Sequence, residues 1–583
     1  MPLRARQTVE KILSVFKRIK SIIYRNYPRI YWDTWIDFIA FRSLAKLFKP
    51  ESADAVVEQG HALIICLGFW PFSLKVEGMF AHAMRLAGWR VTFLLPYSRW
   101  SMAAAYLRVF GFNLIYSWEE FSSKKRSRHQ IFREADALLA SITSFSELKS
   151  LTFRGCWVGP QILSSVSRNI RQAKFDLSDA ATMSQIRRIT RIVIENVFKA
   201  ESVISSLNPD LVLANETNYA HFGPLVDVSI LARKRVIQYI QPTQDDAFYC
   251  WALNMKTRRQ HPTSLSRTSF ARIQKMEWTP RHEANLQRHL DDRYGGKWFL
   301  QRRNQPGVSR MGKHQIIDSL DLDPSRKIVC VFSHLLWDAN LFYGEDLFED
   351  YGDWFVSVVK AACANDNVNW LIKYHPVNLW KRKFEGIKEE LTETKLIRQH
   401  IGAVPAHIKL LPPDCSISTS SLFNAIDAAT TVRGTIGLEL PCFGVPVLTA
   451  GTGRYAGQGF TFDSSSRDEY LSRLANVQNI SGLTPEQILL AKKHAYGVFC
   501  MRTWKMRSFR ADFRPPRYPG DPIAQQLHPV VNSLGDISRM DDLRMWSQWA
   551  IHGDSPDYID WAYEFEPEEP ARNLVFTEQK PYN

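Results

Sequence analysis

Short apolar runs alternate with longer helical patterns along most of this 583-residue chain. The apolar run Ala62–Leu67 precedes a helical pattern over Val76–Ala87, and a second run, Val91–Leu95, follows Gly88. This order predicts a right-handed βαβ unit with parallel strands. Two further strands are predicted in this half, at Leu211–Ala214 and Val236–Ile240. The pattern therefore predicts an α/β fold rather than a helical bundle or a β-sandwich.

A second α/β pattern begins near residue 321 and echoes the first. Its predicted strands are Lys327–Ser333, Trp370–Tyr374, His407–Leu411, Thr430–Val432 and Val445–Thr449. We expect five regions: a basic amphipathic helical segment (1–55), a Rossmann-like domain (56–245), an interdomain connection (246–320), a second Rossmann-like domain (321–480), and C-terminal helices with a tail (481–583). The loop after the first strand has no G-x-G-x-x-G, so no dinucleotide site is predicted there.

The stretch from Thr430 to Phe462 carries the most specific signal. Thr435 is predicted as the N-cap of a helix over Ile436–Phe443, which ends at Gly444. Free N–H groups at such a helix start suit a phosphate. Glu439, one turn further on, is placed to accept the two hydroxyls of a ribose. Four glycines downstream, from Gly451 to Gly459, allow the backbone to approach a ligand closely.

Another candidate lies at the end of the predicted strand Trp370–Tyr374, where His375 and Pro376 follow Lys373. Proline restricts the backbone there, so His375 should point from the sheet edge into a crevice. An imidazole beside a lysine suits a departing phosphate.

Together, the His-Pro pair and the Glu439-to-Gly444-Val445-Pro446-Val447 spacing resemble the donor-site signature of GT-B glycosyltransferases. The closest likeness is to the bacterial capsule polysaccharide biosynthesis proteins, which include Kdo transferases that use CMP-sugars. It covers roughly Lys327–Ser472 well and the N-terminal half only loosely. It implies that residues 56–245 form the acceptor domain, that residues 321–480 form the donor domain, and that no metal is needed. The residues assigned to the donor are Ser333, Lys373, His375, Pro376, Arg433, Thr435, Gly437, Glu439 and Arg454.

The N-terminal half supplies the expected acid/base and acceptor residues. Glu216 follows the strand Leu211–Ala214 and is predicted at the rim of the crevice, where catalytic groups gather; a role in capping the next helix is the alternative. His221 is the second candidate. Trp70 and Lys75 follow the first strand and are predicted to line the acceptor site, with capping of the sheet end as the alternative.

The first 50 residues are basic and amphipathic. Their composition predicts attachment to an anionic membrane surface, or else packing on the following domain. The formal net charge of +15 suits polyanions, but no nucleic-acid recognition motif accompanies it, so nucleic acid is not expected as a partner. No apolar run is long enough to span a bilayer. The eight scattered cysteines indicate reduced thiols in a cytoplasmic protein.

These features predict a glycosyltransferase of capsule or other surface polysaccharide, working at the inner face of the cytoplasmic membrane. It would use a CMP- or UDP-linked sugar, possibly Kdo-like, and a glycan or lipid-linked acceptor, with no permanently bound cofactor. One alternative is a polymer glycerophosphotransferase that uses CDP-glycerol. Another is a GT-B-fold assembly protein without catalysis.

Overall fold

The computed structural model describes residues 28–48, 58–66, 68, 70–96, 98, 101–121, 127–302, 309–338, 341–385, 387–530 and 540–565. Most of the predicted basic segment and the end of the acidic tail therefore lie outside the described residues. The strands within them are β1 (Gly60–Ile65), β2 (Trp89–Leu95), β3 (Ile115–Ser117), β4 (Leu211–Ala214), β5 (Arg235–Ile240), β6 (Ala247–Leu253), β7 (Ile328–Phe332), β8 (Asn369–Lys373), β9 (Ile408–Leu411), β10 (Ala428–Thr431), β11 (Val447–Thr449), β12 (Phe462–Asp463), β13 (Trp504–Lys505), β14 (Phe509–Phe513) and β15 (Gln525–Pro529).

Helices connect most of these strands. Residues 28–42 are helical, and the later α-helices are Pro71–Leu86, Met102–Val109, Arg128–Ala140, Phe145–Ser150, Val158–Ile170, Ala180–Leu207, Gly223–Leu231, Arg267–Lys275, Pro280–Tyr294, Phe299–Arg302, Lys313–Leu320, Tyr351–Ala364, Val377–Glu385, Thr392–His400, Thr419–Phe423, Ile436–Glu439, Arg467–Ala475, Pro485–Tyr496 and Asp541–His552. A π-helical turn, Gly497–Met501, extends the helix before it. Among the described residues, no helix is both long and apolar enough to cross a bilayer.

The first sheet has the strand order β13-β6-β5-β4-β1-β2-β3. The strands from β5 to β3 are parallel, whereas β6 and β13 are antiparallel additions at one edge. The region predicted as an interdomain connection therefore begins too early at residue 246, because β6 completes the first sheet. The apolar alternation of β6 was hidden by its four aromatic and aliphatic neighbours in sequence, which leave no polar face.

The second sheet has the order β12-β11-β10-β7-β8-β9 and is parallel throughout. Counted from its own first strand, each sheet reads 3-2-1-4-5-6, which is the doubly wound Rossmann order. The predicted fold class, α/β with two Rossmann-like domains, is confirmed. In such a sheet, the strand order reverses between the first and fourth strands, here β7 and β10, and ligands bind beyond the carboxyl ends at that point.

The C-terminal region returns to the first lobe instead of trailing behind the second. Trp504 of β13 and Trp546 of the helix Asp541–His552 are fully buried against Phe80, with ring centroids 5.2 and 4.5 Å from that phenyl ring. The predicted C-terminal helices are present, and the chain after them also supplies an edge strand to the N-terminal sheet. Residues far apart in sequence thus share the core of the first lobe.

The helix over residues 28–42 docks on the first lobe by one face. Asp37 accepts hydrogen bonds from Lys75 Nζ at 2.9 Å and from the Tyr106 hydroxyl at 2.6 Å. Asp33 accepts from Arg517 at 2.6 Å and from the Tyr518 hydroxyl. The packing alternative raised for this segment therefore holds for one face of this helix.

Replacing Asp37 with alanine should destabilise the first lobe, because it leaves the ammonium of Lys75 buried without a carboxylate. The side chains of Lys75 and Asp37 are only 3% and 9% exposed, and breaking such a pair typically costs about 3–5 kcal/mol. We expect the melting temperature of Asp37→Ala to fall by several degrees. Asp541→Ala, which removes an exposed pair with Arg544, is the control and should melt like the wild type; equal melting of both variants would contradict the docking.

Candidate nucleotide-binding site

A cavity of about 580 Å³ lies beyond the carboxyl ends of β7, β8 and β10. The strand order brings these three ends side by side, because β7 lies between β10 and β8. The cavity collects residues that are far apart in sequence but were predicted to act together: Ser333, Lys373, His375, Pro376, Arg433, Thr435, Glu439 and Arg454. Of the predicted donor residues, only Gly437 does not line it.

His375 is held by its backbone surroundings in one tautomer. The N–H of Val377 donates to its Nδ1 at 3.2 Å, so a neutral ring carries its proton on Nε2. Beneath it lies the buried Glu393, which accepts from Ser333 Oγ at 3.1 Å and from Asn378 Nδ2 at 3.0 Å. Burial raises the pKa of Glu393, against these hydrogen bonds. Glu393 therefore positions Ser333 and the His-Pro turn without reaching the cavity.

Lys373 is a buried cation without a counter-ion. It is 7% exposed, and burial lowers the pKa of its ammonium. Within the described residues, no carboxylate lies within salt-bridge distance of its Nζ, and the neighbours that favour its charge are the thiols Cys415 and Cys330. Burying an unpaired ammonium is costly. A ligand anion in the adjoining cavity would remove that cost.

His334 is a cavity residue whose role the motifs did not indicate. Its Nε2 accepts from the N–H of Val432 at 3.1 Å and lies 2.9 Å from Thr431 Oγ1. Burial, together with the neighbouring His375 and Arg433, lowers its pKa well below the ordinary value. The ring is thus a neutral one that ties the end of β7 to the end of β10, and its Nδ1 carries the proton.

The two arginines of the predicted site differ in their commitments. Arg433 is paired with Asp346 and also donates to the Glu345 carbonyl at 3.1 Å. Arg454 donates to the Arg433 carbonyl at 3.0 Å and to Thr435 Oγ1 at 3.1 Å, while its Nε is buried without a hydrogen-bond partner. Arg454 is accordingly the arginine with donor capacity left for a phosphate.

Thr435 does not cap the helix as predicted. Its backbone is helical (φ −56°, ψ −27°), and its hydroxyl accepts from Arg454 instead of a backbone N–H. The α-helix Ile436–Glu439 has only four residues and continues as a 3-10 turn, Leu440–Phe443. The anion-binding character of this corner therefore comes from side-chain cations, not from a helix dipole.

Glu439 and Gly437 also have partners that the sequence did not reveal. The Tyr294 hydroxyl donates to Glu439 at 2.6 Å, and Arg293 Nε lies 3.0 Å from its other oxygen. Both partners come from the helix Pro280–Tyr294, so the carboxylate that was predicted to meet a ribose is already ion-paired, although it still lines the cavity. A Cβ at Gly437 would lie 2.1 Å from the hydroxyl of Tyr455. That glycine is needed for packing, which corrects its assignment to the ligand.

The predicted acceptor residues do not line the cavity. Lys75 is buried against Asp37 and Gln526, so its assignment to the acceptor is corrected: the ammonium holds two structural elements together. Trp70 and His221 are exposed and lie outside the cavity. Glu216 follows β4 as expected, is half-exposed, and lies 3.4 Å from Arg168.

A bridge of polar contacts connects the two lobes at the cavity. The Tyr219 hydroxyl of the first lobe donates to Asp338 of the second at 2.7 Å, and Lys381 Nζ donates to the other oxygen of that carboxylate. Arg168 stacks on the Tyr219 ring at 4.8 Å and reaches Glu216. Burial alone would raise the pKa of Asp338, but Lys381 and Arg168 hold it below its ordinary value. Asp338 is therefore a poor proton acceptor.

A second, larger cleft of about 1700 Å³ adjoins this bridge, and Lys381 lines both spaces. Its walls come from both lobes, including the ends of the helices Val158–Ile170 and Thr392–His400. Arg171 and Lys381 both lie over the ring of Trp337 there, at 5.9 and 4.7 Å from its centroid. Within the described part of the chain, no group of three or more acidic, histidine or cysteine side chains is arranged to hold a metal.

No protein-family model matches the chain, and no curated protein matches it. Solved structures do match. The β-Kdo 2,4-transferase KpsC of Thermosulfurimonas dismutans is 15% identical, with a TM-score of 0.31 over 49% of this chain and 79% of that chain. The S. aureus MnaA–UDP structure is 11% identical, with a TM-score of 0.29 over 76% of this chain and 94% of that chain. Anabaena Alr3699/HepE, in complex with UDP and glucose, is 9% identical, with a TM-score of 0.24 over 76% and 94%.

Kdo transferases, which the sequence motifs resemble, are thus among the solved structures similar to this chain. Glycosyltransferases and UDP-N-acetylglucosamine 2-epimerases are also among them. Identities of 15% or less and TM-scores below 0.5 leave the chemistry to be argued from the cavity itself.

Replacing Lys373 with methionine should stabilise the ligand-free protein, because it removes a buried unpaired charge and keeps the volume. We expect a gain on the order of 1–3 kcal/mol, read as a higher melting temperature. The folded-state pKa is depressed, so the unfolded chain holds this proton more tightly and wild-type stability rises with pH in that range. The gain should thus be greatest below the lowered pKa and fade as the pH approaches the ordinary value of 10.5.

Lys409→Met is the matched control, since Lys409 lies on the adjacent strand β9 and is only part-buried. It should leave the melting temperature unchanged. A fall of several degrees for Lys373→Met would mean that the ammonium has a structural role, and would remove the main argument for an anion site.

Proposed function

We propose that this protein is a glycosyltransferase of capsule or other surface-polysaccharide biosynthesis, which moves a sugar, possibly Kdo-like, from a CMP- or UDP-linked donor to a glycan or lipid-linked acceptor. The observation that supports the proposal most is the buried Lys373 ammonium, which has no carboxylate partner and lines the same cavity as His375 and Arg454. A nucleotide phosphate would supply the missing negative charge. The work is proposed to occur in the cytoplasm, peripherally on the inner face of the bacterial membrane.

Within this proposal, the cationic groups stabilise the departing nucleotide. As the glycosidic bond to the donor phosphate breaks, negative charge develops on the phosphate oxygens. Lys373 and Arg454 would neutralise it, and the Nε2–H of His375 would donate to the leaving oxygen. Three fixed donors in a site that excludes water need no metal ion for this role.

The two nucleoside hydroxyls of a ribose are assigned to the Glu439 corner. Glu439 is already held by Arg293 and Tyr294, so its carboxylate is oriented before any ligand arrives. A ribose would have to share this carboxylate with, or displace it from, one of the two partners. The proposal therefore gives Arg293 and Tyr294 a positioning role around the nucleoside.

The acceptor is proposed to enter through the large cleft, which meets the cavity at Lys381. Glu216 remains the proposed base for the acceptor hydroxyl. It is half-exposed and has Arg168 as its nearest cation, whereas both oxygens of Asp338 already accept strong hydrogen bonds. The chain of contacts from Glu216 through Arg168 and Tyr219 to Asp338 leads from the rim to the cavity.

A polymer glycerophosphotransferase is the alternative closest in chemistry, since its CDP-glycerol donor also leaves CMP. Release of CMP from CMP-Kdo but not from CDP-glycerol would favour the glycosyltransferase, and the reverse would favour the alternative. A non-catalytic assembly protein is the other alternative. It would be favoured if His375→Ala and Glu439→Ala still complemented a deletion strain.

Nucleotide binding should be visible as thermal stabilisation, because a ligand that binds only the folded state raises the melting temperature. We expect CMP or UDP to raise it by a few degrees and His375→Ala to lose most of that shift. The exposed His314, on the helix Lys313–Leu320, provides the matched His314→Ala control, which should respond like the wild type. If CMP, CDP, UDP and GDP all leave the melting temperature unchanged at millimolar concentration, the donor assignment fails.

Glu216→Gln should separate binding from transfer. The variant should keep the full nucleotide-induced shift, because Glu216 lies outside the cavity, but should lower the transfer rate about 100-fold or more through loss of the base. Glu201→Gln, which alters a similarly exposed pair with Arg154 in the same lobe, is the control and should keep its activity. Normal turnover in Glu216→Gln would exclude it as the base.

A further inference from the structure

The helix over residues 28–42 presents an apolar face to solvent. Tyr31, Trp32, Trp35, Ile36 and Ile39 are between 40% and 62% exposed. They are five of the thirteen large apolar side chains exposed in the part of the chain that the structure describes, yet they fall within nine residues. We call these five residues the aromatic face.

The two faces of this helix are separated sharply. At about 100° per residue, the aromatic face spans an arc of about 140°. The residues that are buried on the first lobe occupy a different arc of about the same width, and they are Asp33, Thr34, Asp37, Phe38 and Phe41. Because the buried arc carries two hydrogen-bonded carboxylates, the helix is held in one rotation about its axis, with the aromatic face outward.

Charge identifies the partner for this face. Residues 1–30 contain eight Lys or Arg residues against one acidic residue, Glu10. Arg29 and Arg42 flank the aromatic face, and both are exposed. Tryptophan and tyrosine prefer the boundary between lipid headgroups and acyl chains, and nearby basic residues are attracted to anionic headgroups. A protein partner or a second copy of this chain would have no comparable need for so large a positive charge.

We propose that the aromatic face inserts into the surface of an anionic lipid bilayer and thereby fixes how the first lobe sits on the membrane. The helix lies in the interface plane, as amphipathic interfacial helices do. The docking contacts of Asp33 and Asp37 hold the helix rigidly on the lobe, so attachment orients the whole protein. This inference is independent of the nucleotide chemistry proposed above.

The test is co-sedimentation of the full chain with vesicles of phosphatidylglycerol and phosphatidylethanolamine, compared with phosphatidylcholine vesicles. The variant carries Trp32→Gln, Trp35→Gln and Ile36→Gln, since glutamine keeps the helix propensity. We expect the wild type to pellet with the anionic vesicles and the triple variant to bind about tenfold or more weakly. Its melting temperature and its nucleotide-induced shift should be unchanged.

A matched control removes three apolar side chains of similar exposure from helices elsewhere: Leu86→Gln, Leu231→Gln and Leu489→Gln. It should bind vesicles like the wild type. The proposal is overturned if the wild type stays in the supernatant with anionic vesicles, or if the aromatic-face variant pellets equally well. It is also overturned if that variant changes the oligomeric mass and leaves vesicle binding intact, because a second copy would then be the occupant.

Discussion

Lys373 carries a charge into the interior of the second lobe, and nothing in the described residues neutralises it. The strand that bears it, β8, lies between β7 and β9, so the ammonium cannot swing to solvent without leaving its sheet. An uncompensated buried charge is destabilising, and such strain is typical of functional sites. The neighbouring groups do not relieve it: His334 and His375 are imidazoles beside one another, and Arg454 adds another cation. The whole corner is built to be completed by an anion.

Topology explains how one corner gathers these groups. In the order 3-2-1-4-5-6, the first strand of a lobe has the second and fourth as neighbours, so the chain delivers three carboxyl ends to one place from segments about 100 residues apart. The tie from His334 Nε2 to the backbone of Val432 then fixes β7 against β10, and Glu393 supports the His-Pro turn from below. The first lobe reaches the same place through Tyr219 and its hydrogen bond to Asp338. The site therefore depends on the relative placement of both lobes.

The sequence predicted the parts of this site that depend on local pattern. Apolar runs located most of the strands, and residues just after them, such as Ser333, His375 and Arg433, lie where strand ends must lie. Partners distant in sequence were invisible. Lys75 was assigned to the acceptor because nothing local shows that Asp37 and Gln526 would bury it, and Glu439 looked available because Arg293 and Tyr294 come from a helix about 145 residues earlier. The N-cap at Thr435 was wrong because Arg454 takes its hydroxyl. β6 and β13 were missed as sheet strands, since an antiparallel edge carries no signal of the sheet it joins.

The most direct measurement is a crystal structure of the protein with CMP bound. The account predicts electron density for the nucleotide phosphate within about 3–4 Å of both Lys373 Nζ and His375 Nε2, with Arg454 Nε in contact as well. Nucleotide bound elsewhere would contradict it. So would a ligand-free experimental structure in which a carboxylate of the protein itself fills the corner beside Lys373, because the cavity would then have no missing anion to supply.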